Sequence, residues 1–279
     1  VAVELVKRTP EKPLNVLSLG AGIQSTYVLL RYQDELDYAV FADTGWEPQS
    51  VYDALEQLKV ISKVPVVVIK HNDLREASWG ATLGDGKAFH DLPLFVLNSG
   101  KAGQIRRQCT NRYKIQPIRK EIRRLAGYKP RQRIPAKTVR LWMGISADEA
   151  VRMKPSDAIW LEHIYPLCDT PIGTGQITKR KDCVRWLSKN YPDVTVGRSA
   201  CVTCPFHTNS EWREMKDNDP KSWAEAVAYD AKIRDATKDD GRLFIHRSCK
   251  PLEEVDLSTP EDHGQMNFFD EECTGMCGL

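Results

Sequence analysis

Apolar positions along the chain fall into short runs alternating with stretches of helical spacing. Leu14–Leu19 (LNVLSL) is a run that stops at Gly20-Ala21-Gly22, which predicts a buried strand closed by a tight turn. Ser25–Gln33 reads as the helix that follows. Tyr38–Asp43 (YAVFAD) predicts a second strand ending at Asp43-Thr44-Gly45. Pro48–Ile61 places Val51, Leu55 and Leu58 at helical spacing, and Val64–Lys70 (VPVVVIK) is a β-branched third strand. Strands alternating with helices imply parallel βαβ units, whose ligands sit at the carboxyl ends of the strands.

The pattern then loosens. His71–Gln108 is rich in Gly, Asn and Asp and predicts a long irregular segment. Tyr113–Leu125 predicts a basic helix, provided that Pro117 lies in its first turn. Val139–Ile145 and Ile159–Tyr165 supply a fourth and a fifth strand, and Thr178–Asn190 a helix with Asp182 and Arg185 on one face. From Tyr191 the character changes: a CxxC between turn-forming segments, two short helices (Ser210–Lys216 and Pro220–Arg234), an edge strand at Arg242–His246 and an acidic tail from Glu253. The expected fold class is α/β, a parallel sheet with helices on both faces, over residues 1–200. Residues 201–279 would be a cysteine-bearing, helical C-terminal extension.

The turn after the first strand carries the first candidate chemistry. A strand, a glycine turn and a helix start direct backbone N–H groups at an anion, and Ser25 and Thr26 at the helix start add hydroxyls. A plain βα turn with a helix cap accounts for the same letters. No GK[ST] closes the turn, and GxGxxG is absent, so it is neither a Walker loop nor a dinucleotide fingerprint.

Composition narrows the class without naming a partner. The chain has 279 residues, 41% hydrophobic and 28% charged, with a net charge of +2. No apolar run approaches the ~20 residues of a membrane span, and the opening residues lack a signal peptide's apolar core, so the expected compartment is the cytoplasm. Arg106–Arg140 has one acidic residue, Glu121, and suits the phosphates of a nucleotide or nucleic acid, or equally a solvated helix face. Eight cysteines (109, 168, 183, 201, 204, 249, 273 and 277) in such a chain favour metal or redox chemistry over disulfides. Cys201-Val-Thr-Cys204 can chelate one metal, serve an iron–sulfur cluster or act as a redox dithiol.

Taken in order, these motifs resemble the sulfonucleotide reductases, the adenylylsulfate and phosphoadenylylsulfate (PAPS) reductases of the adenine-nucleotide alpha-hydrolase fold. Gly20–Thr26 resembles their modified pyrophosphate loop, with Gln24 where ATP-splitting relatives carry an acidic residue. Asp43-Thr44-Gly45 resembles the family's DTG loop. Cys109-Thr110 with Lys114-Ile115-Gln116-Pro117 resembles the Cys-Cys…Lys-[Ile/Val]-x-Pro segment of iron–sulfur members. Gly144–Glu149 with Arg152 resembles the loop after the fourth strand, Tyr165-Pro166-Leu167 its "xPL", Cys201…Cys204 the second cluster pair, and Cys277-Gly278-Leu279 the terminal CGL. Two positions depart from the pattern: Ser146 replaces a loop arginine and Thr110 a second cysteine.

The resemblance implies an adenine nucleotide (PAPS, adenylylsulfate, or ATP with Mg²⁺) held by Ser18, Gly20, Gly22, Gln24, Ser25, Thr26, Asp43, Thr44, Gly45, Asp148, Glu149 and Arg152. It implies an iron–sulfur cluster, a 4Fe-4S by kind, on Cys109, Cys201 and Cys204 with Cys249 as the fourth ligand. Its first mechanism makes Cys277 the nucleophile that takes a sulfonate and releases it as sulfite to a thiol donor such as thioredoxin. Its second is ATP-dependent sulfur transfer to a nucleic acid, in which a three-cysteine cluster would leave one iron open. The third alternative is a non-catalytic nucleotide- or cluster-binding protein. A homodimer and the absence of a membrane partner complete the expectations.

Overall fold

The computed structural model describes residues 6–80, 91–168, 177–197, 199–236, 241–259 and 262. The chain forms two compact units. The first takes the described parts of Val1–Asp43, Gln49–His71 and Lys114–Ser199; the second takes those of Thr44–Pro48, Asn72–Tyr113 and Ala200–Leu279.

The first unit is a five-stranded sheet of β1 (Leu14–Leu19), β2 (Tyr38–Asp43), β3 (Val66–Lys70), β6 (Val139–Met143) and β7 (Leu161–Ile164), in the order β3-β2-β1-β6-β7. Every pairing is parallel; Leu17 stands between Ala39 of β2 and Trp142 of β6. Alternation along the strands sends Leu17, Leu19, Ala39, Phe41, Trp142 and Ile164 into one core. That core is completed by α1 (Ile23–Arg31), α2 (Gln49–Ile61) and α5 (Arg180–Asn190), through residues such as Leu29, Leu55 and Leu187. Cys183 of α5 is fully buried there, and burial pushes its thiol up to about 12, as suits a packing residue. Helix α4 (Gln116–Leu125) packs against β2 and β3 through a separate apolar stripe, Ile118, Ile122 and Leu125, and so covers the opposite face. Pro117 sits in the first turn of α4, where its missing N–H costs no hydrogen bond. The expected α/β class, with helices on both faces of a parallel sheet, is the observed one.

Connectivity fixes where this sheet can hold a ligand. From β1 the chain moves outward to β2 and β3; through α4 it returns to the other side of β1 and continues to β6 and β7. The winding direction reverses between β1 and β6. The loops leaving those two strands therefore diverge to opposite faces and open a crevice at their carboxyl ends.

The second unit holds an antiparallel sheet where the sequence predicts irregular chain. Strands β4 (Phe95–Asn98) and β5 (Lys101–Gln104) form a hairpin, and β8 (Arg242–Phe244) pairs with β4 in the order β5-β4-β8. Ser99 and Gly100 turn the hairpin with φ of 48° and 77°, the left-handed pair that a two-residue loop requires. Each strand of the hairpin has four residues, and β5 is exposed throughout, so alternation is too brief to mark it. Helices α3 (Leu74–Gly80), α6 (Asn209–Asn218) and α7 (Pro220–Ile233) enclose a core of Trp46, Leu92, Leu94, Trp212, Tyr229 and Ile245, among others. Trp212 is fully buried, and Trp186 and Trp223 pack against the core of their own units, so these tryptophans serve as core.

Candidate functional site

At the carboxyl end of β1 the chain turns through Gly20, Ala21 and Gly22. Ala21 lies at φ 53°, a left-handed conformation that costs a non-glycine residue about 1 kcal/mol and is over-represented at functional turns. The two glycines make room for a neighbouring segment. A Cβ on Gly20 would lie 3.2 Å from the Ser199 hydroxyl, and one on Gly22 would lie 3.3 Å from Ser199 Cβ. Helix α1 then begins at Gly22 with no side-chain cap on its first N–H groups.

The hydroxyls of this turn look inward. Ser25 Oγ donates to the Gly22 carbonyl at 3.1 Å and accepts from Gly20 N at 3.2 Å, so it closes the turn on itself. Thr26 is fully buried in α1. Ser18 lies within β1, one residue before its end, paired with Val40 and Met143. The donors this end of the sheet can offer are therefore backbone N–H groups, with side chains arriving from elsewhere.

They arrive from the loop after β6. Gly144 admits α1 closely: a Cβ there would lie 2.6 Å from Ser25 N and 2.8 Å from the Gln24 carbonyl carbon. Beyond it, Gln24 Nε2 reaches Ser146 Oγ and Glu149 Oε2, both at 3.4 Å. Glu149 is buried and paired with Arg152 at 2.8 Å. Gln24 thus bridges the two loops of the crevice, with Ser146 fully buried beneath it. A glutamine suits this place, because an acid would face the Glu149 carboxylate.

Asp148 has another duty. Its carboxylate accepts from Arg180 N at 3.2 and 3.3 Å, at the start of α5, where it offsets the helix's positive end. Cys168, which no sequence motif flags, donates from Sγ to Ile145 O at 3.4 Å. Burial, with Asp148 and Glu149 close by, pushes its thiol above the ordinary value, which keeps it protonated at neutral pH. At the end of β2, Asp43 accepts from the Tyr52 hydroxyl at 2.8 Å. Asp43 belongs to the first unit; Thr44 and Gly45 belong to the second.

Within the second unit Thr44 Oγ1 donates to Glu47 at 3.0 Å, and Cys201 Sγ lies 3.5 Å from Thr44 Oγ1 and 3.6 Å from Glu47 Oε1. Gly45 holds φ 77° with Asp73 packed against it, so only glycine fits. Cys204 N donates to Cys201 O in the CxxC turn, and His207 Nε2 also meets Cys201 O, at 3.0 Å. Cys109 and Cys201 pack against the apolar core of this unit, and Cys249 lies in a turn at φ 52° with its thiol toward Arg247 O.

The described thiols lend the expected iron–sulfur cluster no support. Among the described residues no three His, Cys, Asp or Glu side chains gather as a metal-holding group. The sequence counts thiols; it cannot show that Cys201 faces a hydroxyl and a carboxylate while Cys249 turns to a carbonyl. Cys277, the expected nucleophile, lies outside the described residues.

The basic stretch is also less available than its letters suggest. Arg112 pairs with Asp91 at 2.7 Å, Arg119 with Asp157, Arg124 with Glu121 at 2.6 Å, and Arg140 with Glu162 at 3.3 Å. Arg123 donates to the carbonyls of Lys129 and Gln132. Asp91, Asp157 and Glu162, distant in sequence, thus neutralise part of the patch that a linear count leaves bare. Among the described residues no helix is long and apolar enough to cross a membrane.

No protein-family model matches the chain, and no curated protein does. Among solved structures it is similar to the phosphoadenylyl-sulfate (PAPS) reductase of Candida auris, determined as a phosphate complex. The two share 12% identity with a TM-score of 0.40, over 69% of this chain and 84% of that one.

Proposed function

We propose that the crevice between β1 and β6 binds an adenine nucleotide and that the protein carries out sulfur chemistry on it. The reading is a thiol-dependent reduction of a sulfonucleotide to sulfite. The observation that carries it is Gln24. It ties the glycine turn to Ser146 and Glu149 across the one place where the sheet's winding reverses. Support also comes from the uncapped start of α1, from the left-handed Ala21 and from the terminal CGL motif.

In this reading the backbone at Gly20–Gly22 takes the phosphates, with the α1 dipole behind it. Ser18, Ser25 and Thr26 shape that turn, and Asp43, at the carboxyl end of β2, marks the second loop. Glu149, neutralised by Arg152, and Asp148, anchored on α5, hold the third loop in place. Cys277 attacks the sulfonate sulfur as a thiolate, the sulfur–oxygen bond to the nucleotide breaks, and the nucleotide leaves with that electron pair. A thiol of the donor then attacks the Cys277 sulfur and expels sulfite; a second donor thiol resolves the mixed disulfide and returns Cys277 reduced.

Equilibrium binding of ATP, adenylylsulfate and PAPS, followed by product identification with dithiothreitol or thioredoxin as donor, tests the reading. A sulfonucleotide is expected to bind more tightly than ATP and to yield sulfite. Cys277→Ser should abolish sulfite while sparing binding. Binding of none of the three nucleotides would end the proposal. Pyrophosphate from ATP with a nucleic-acid acceptor would replace reduction by sulfur transfer.

A further inference from the structure

A second constellation lies in the second unit, in the turn after β8. His246 is buried, while Ser248, two residues on, is exposed. Ser248 Oγ stands 2.8 Å from His246 Nδ1, and His246 Nε2 stands 3.2 Å from Asn209 Oδ1 at the start of α6.

Hydrogen bonding around Asn209 fixes the direction of this relay. Its amide nitrogen donates to the carbonyls of Asp256 at 3.2 Å and Ser258 at 3.0 Å, so its oxygen must face His246. Arg247 donates to the same oxygen at 3.3 Å, which no amide nitrogen would accept. An acceptor opposite Nε2 requires the proton on Nε2, which leaves Nδ1 with its lone pair. The lone pair points at the Ser248 hydroxyl and also receives Ser248 N at 3.1 Å. Burial, with the Arg247 charge alongside, pushes the imidazole down to about 4, so it is neutral at ordinary pH.

We infer that Ser248, His246 and Asn209 form a nucleophile–base–orienter set that acylates on Ser248 from activated acyl esters. An exposed hydroxyl, a neutral imidazole lone pair and an amide that locks the tautomer supply the three roles such a set needs. In the acylation step Ser248 Oγ attacks the carbonyl carbon and its proton passes to Nδ1. The ester's C–O bond then breaks, and the leaving alcohol takes the proton back from Nδ1. Water hydrolyses the acyl-serine by the same route. Exposed Arg247 and Lys250 on either side favour an ester donor that carries a negative charge.

The test uses the full chain with a fluorophosphonate probe and with p-nitrophenyl acetate at pH 7.5. The expected result is a mass adduct confined to the peptide carrying Ser248 and a burst of p-nitrophenolate, both lost in Ser248→Ala. That residue is on the surface, so its substitution leaves the fold alone. His246→Gln, checked for folding by circular dichroism, is expected to slow labelling by about 10-fold, below the range of a base matched to the working pH because the imidazole is pushed down to about 4. Absence of an adduct on Ser248 in the wild type overturns the inference, as does labelling of a folded His246→Gln at the wild-type rate. Should His246→Gln fail to fold, the comparison of wild type with Ser248→Ala decides.

Discussion

Two sets of buried polar groups, one in each unit, are bonded differently. In the second unit, Asp230 is almost wholly buried and fully employed: it accepts from Ile245 N at 2.8 Å and Leu252 N at 3.0 Å, and pairs with Arg234. Asp91 likewise meets Arg112 and the Tyr113 hydroxyl. These carboxylates pin loops that short strands cannot hold alone. In the first unit the buried polar residues Ser146 and Glu149 instead gather at the carboxyl edge of the sheet. There they are spanned by Gln24 through two long contacts of 3.4 Å. Tight, saturated bonding marks a structural group, whereas long bridging contacts beside a strained turn mark a place that a ligand can enter.

Removing a saturated carboxylate is the strongest challenge to that contrast. Asp230→Ala strands Arg234 and two backbone N–H groups, so chemical denaturation should show a loss of about 3–5 kcal/mol. A loss under 1 kcal/mol would make Asp230 dispensable and the contrast empty.

Gly144→Ala comes next. Its Cβ would meet the backbone of Ser25 and Gln24 rather than a movable side chain, so about 3 kcal/mol of destabilisation is expected in the same measurement. Nucleotide affinity should fall with it, since β6 and α1 can no longer close on each other.

Acid then separates the units by a different lever. His246 is neutral when folded, with its proton affinity pushed down to about 4, whereas an unfolded imidazole binds a proton near 6.5. The unfolded state therefore binds more protons between those values, and stability falls as pH drops through that window. About 2 kcal/mol should be lost between pH 7 and pH 5, and His246→Gln should flatten the dependence.

The smallest effect belongs to the bridge itself. Gln24→Ala removes two long hydrogen bonds and should weaken nucleotide binding about fivefold, some 1 kcal/mol, with little change in stability. Unchanged affinity would detach Gln24 from the site.

Much of the first unit was legible in the letters. Leu14–Leu19, Tyr38–Asp43 and Val139–Met143 are buried on both faces, and such strands read as apolar runs whatever packs on them. Glycines at 20 and 22 marked a turn in the sequence, although not that Ser199 packs against it. The second unit was legible in α6, α7 and the edge strand β8, and opaque in its hairpin for a matching reason. Its hairpin strands are four residues long, one of them wholly exposed, and its sheet is completed by β8, far along the chain. No local window contains that pairing.

The sequence by itself determined the alternation of strands and helices, the glycine turn and the inventory of thiols, because periodicity and residue chemistry are local properties. Only the tertiary structure decided which of those groups meet. It set Gln24 over Glu149, gave Asp148 to the start of α5, paired arginines of the basic stretch such as Arg112 and Arg119 with distant carboxylates, and locked a histidine tautomer between Asn209 and Ser248. Each of those outcomes depends on chain segments brought together by burial, and burial is settled by the whole core at once.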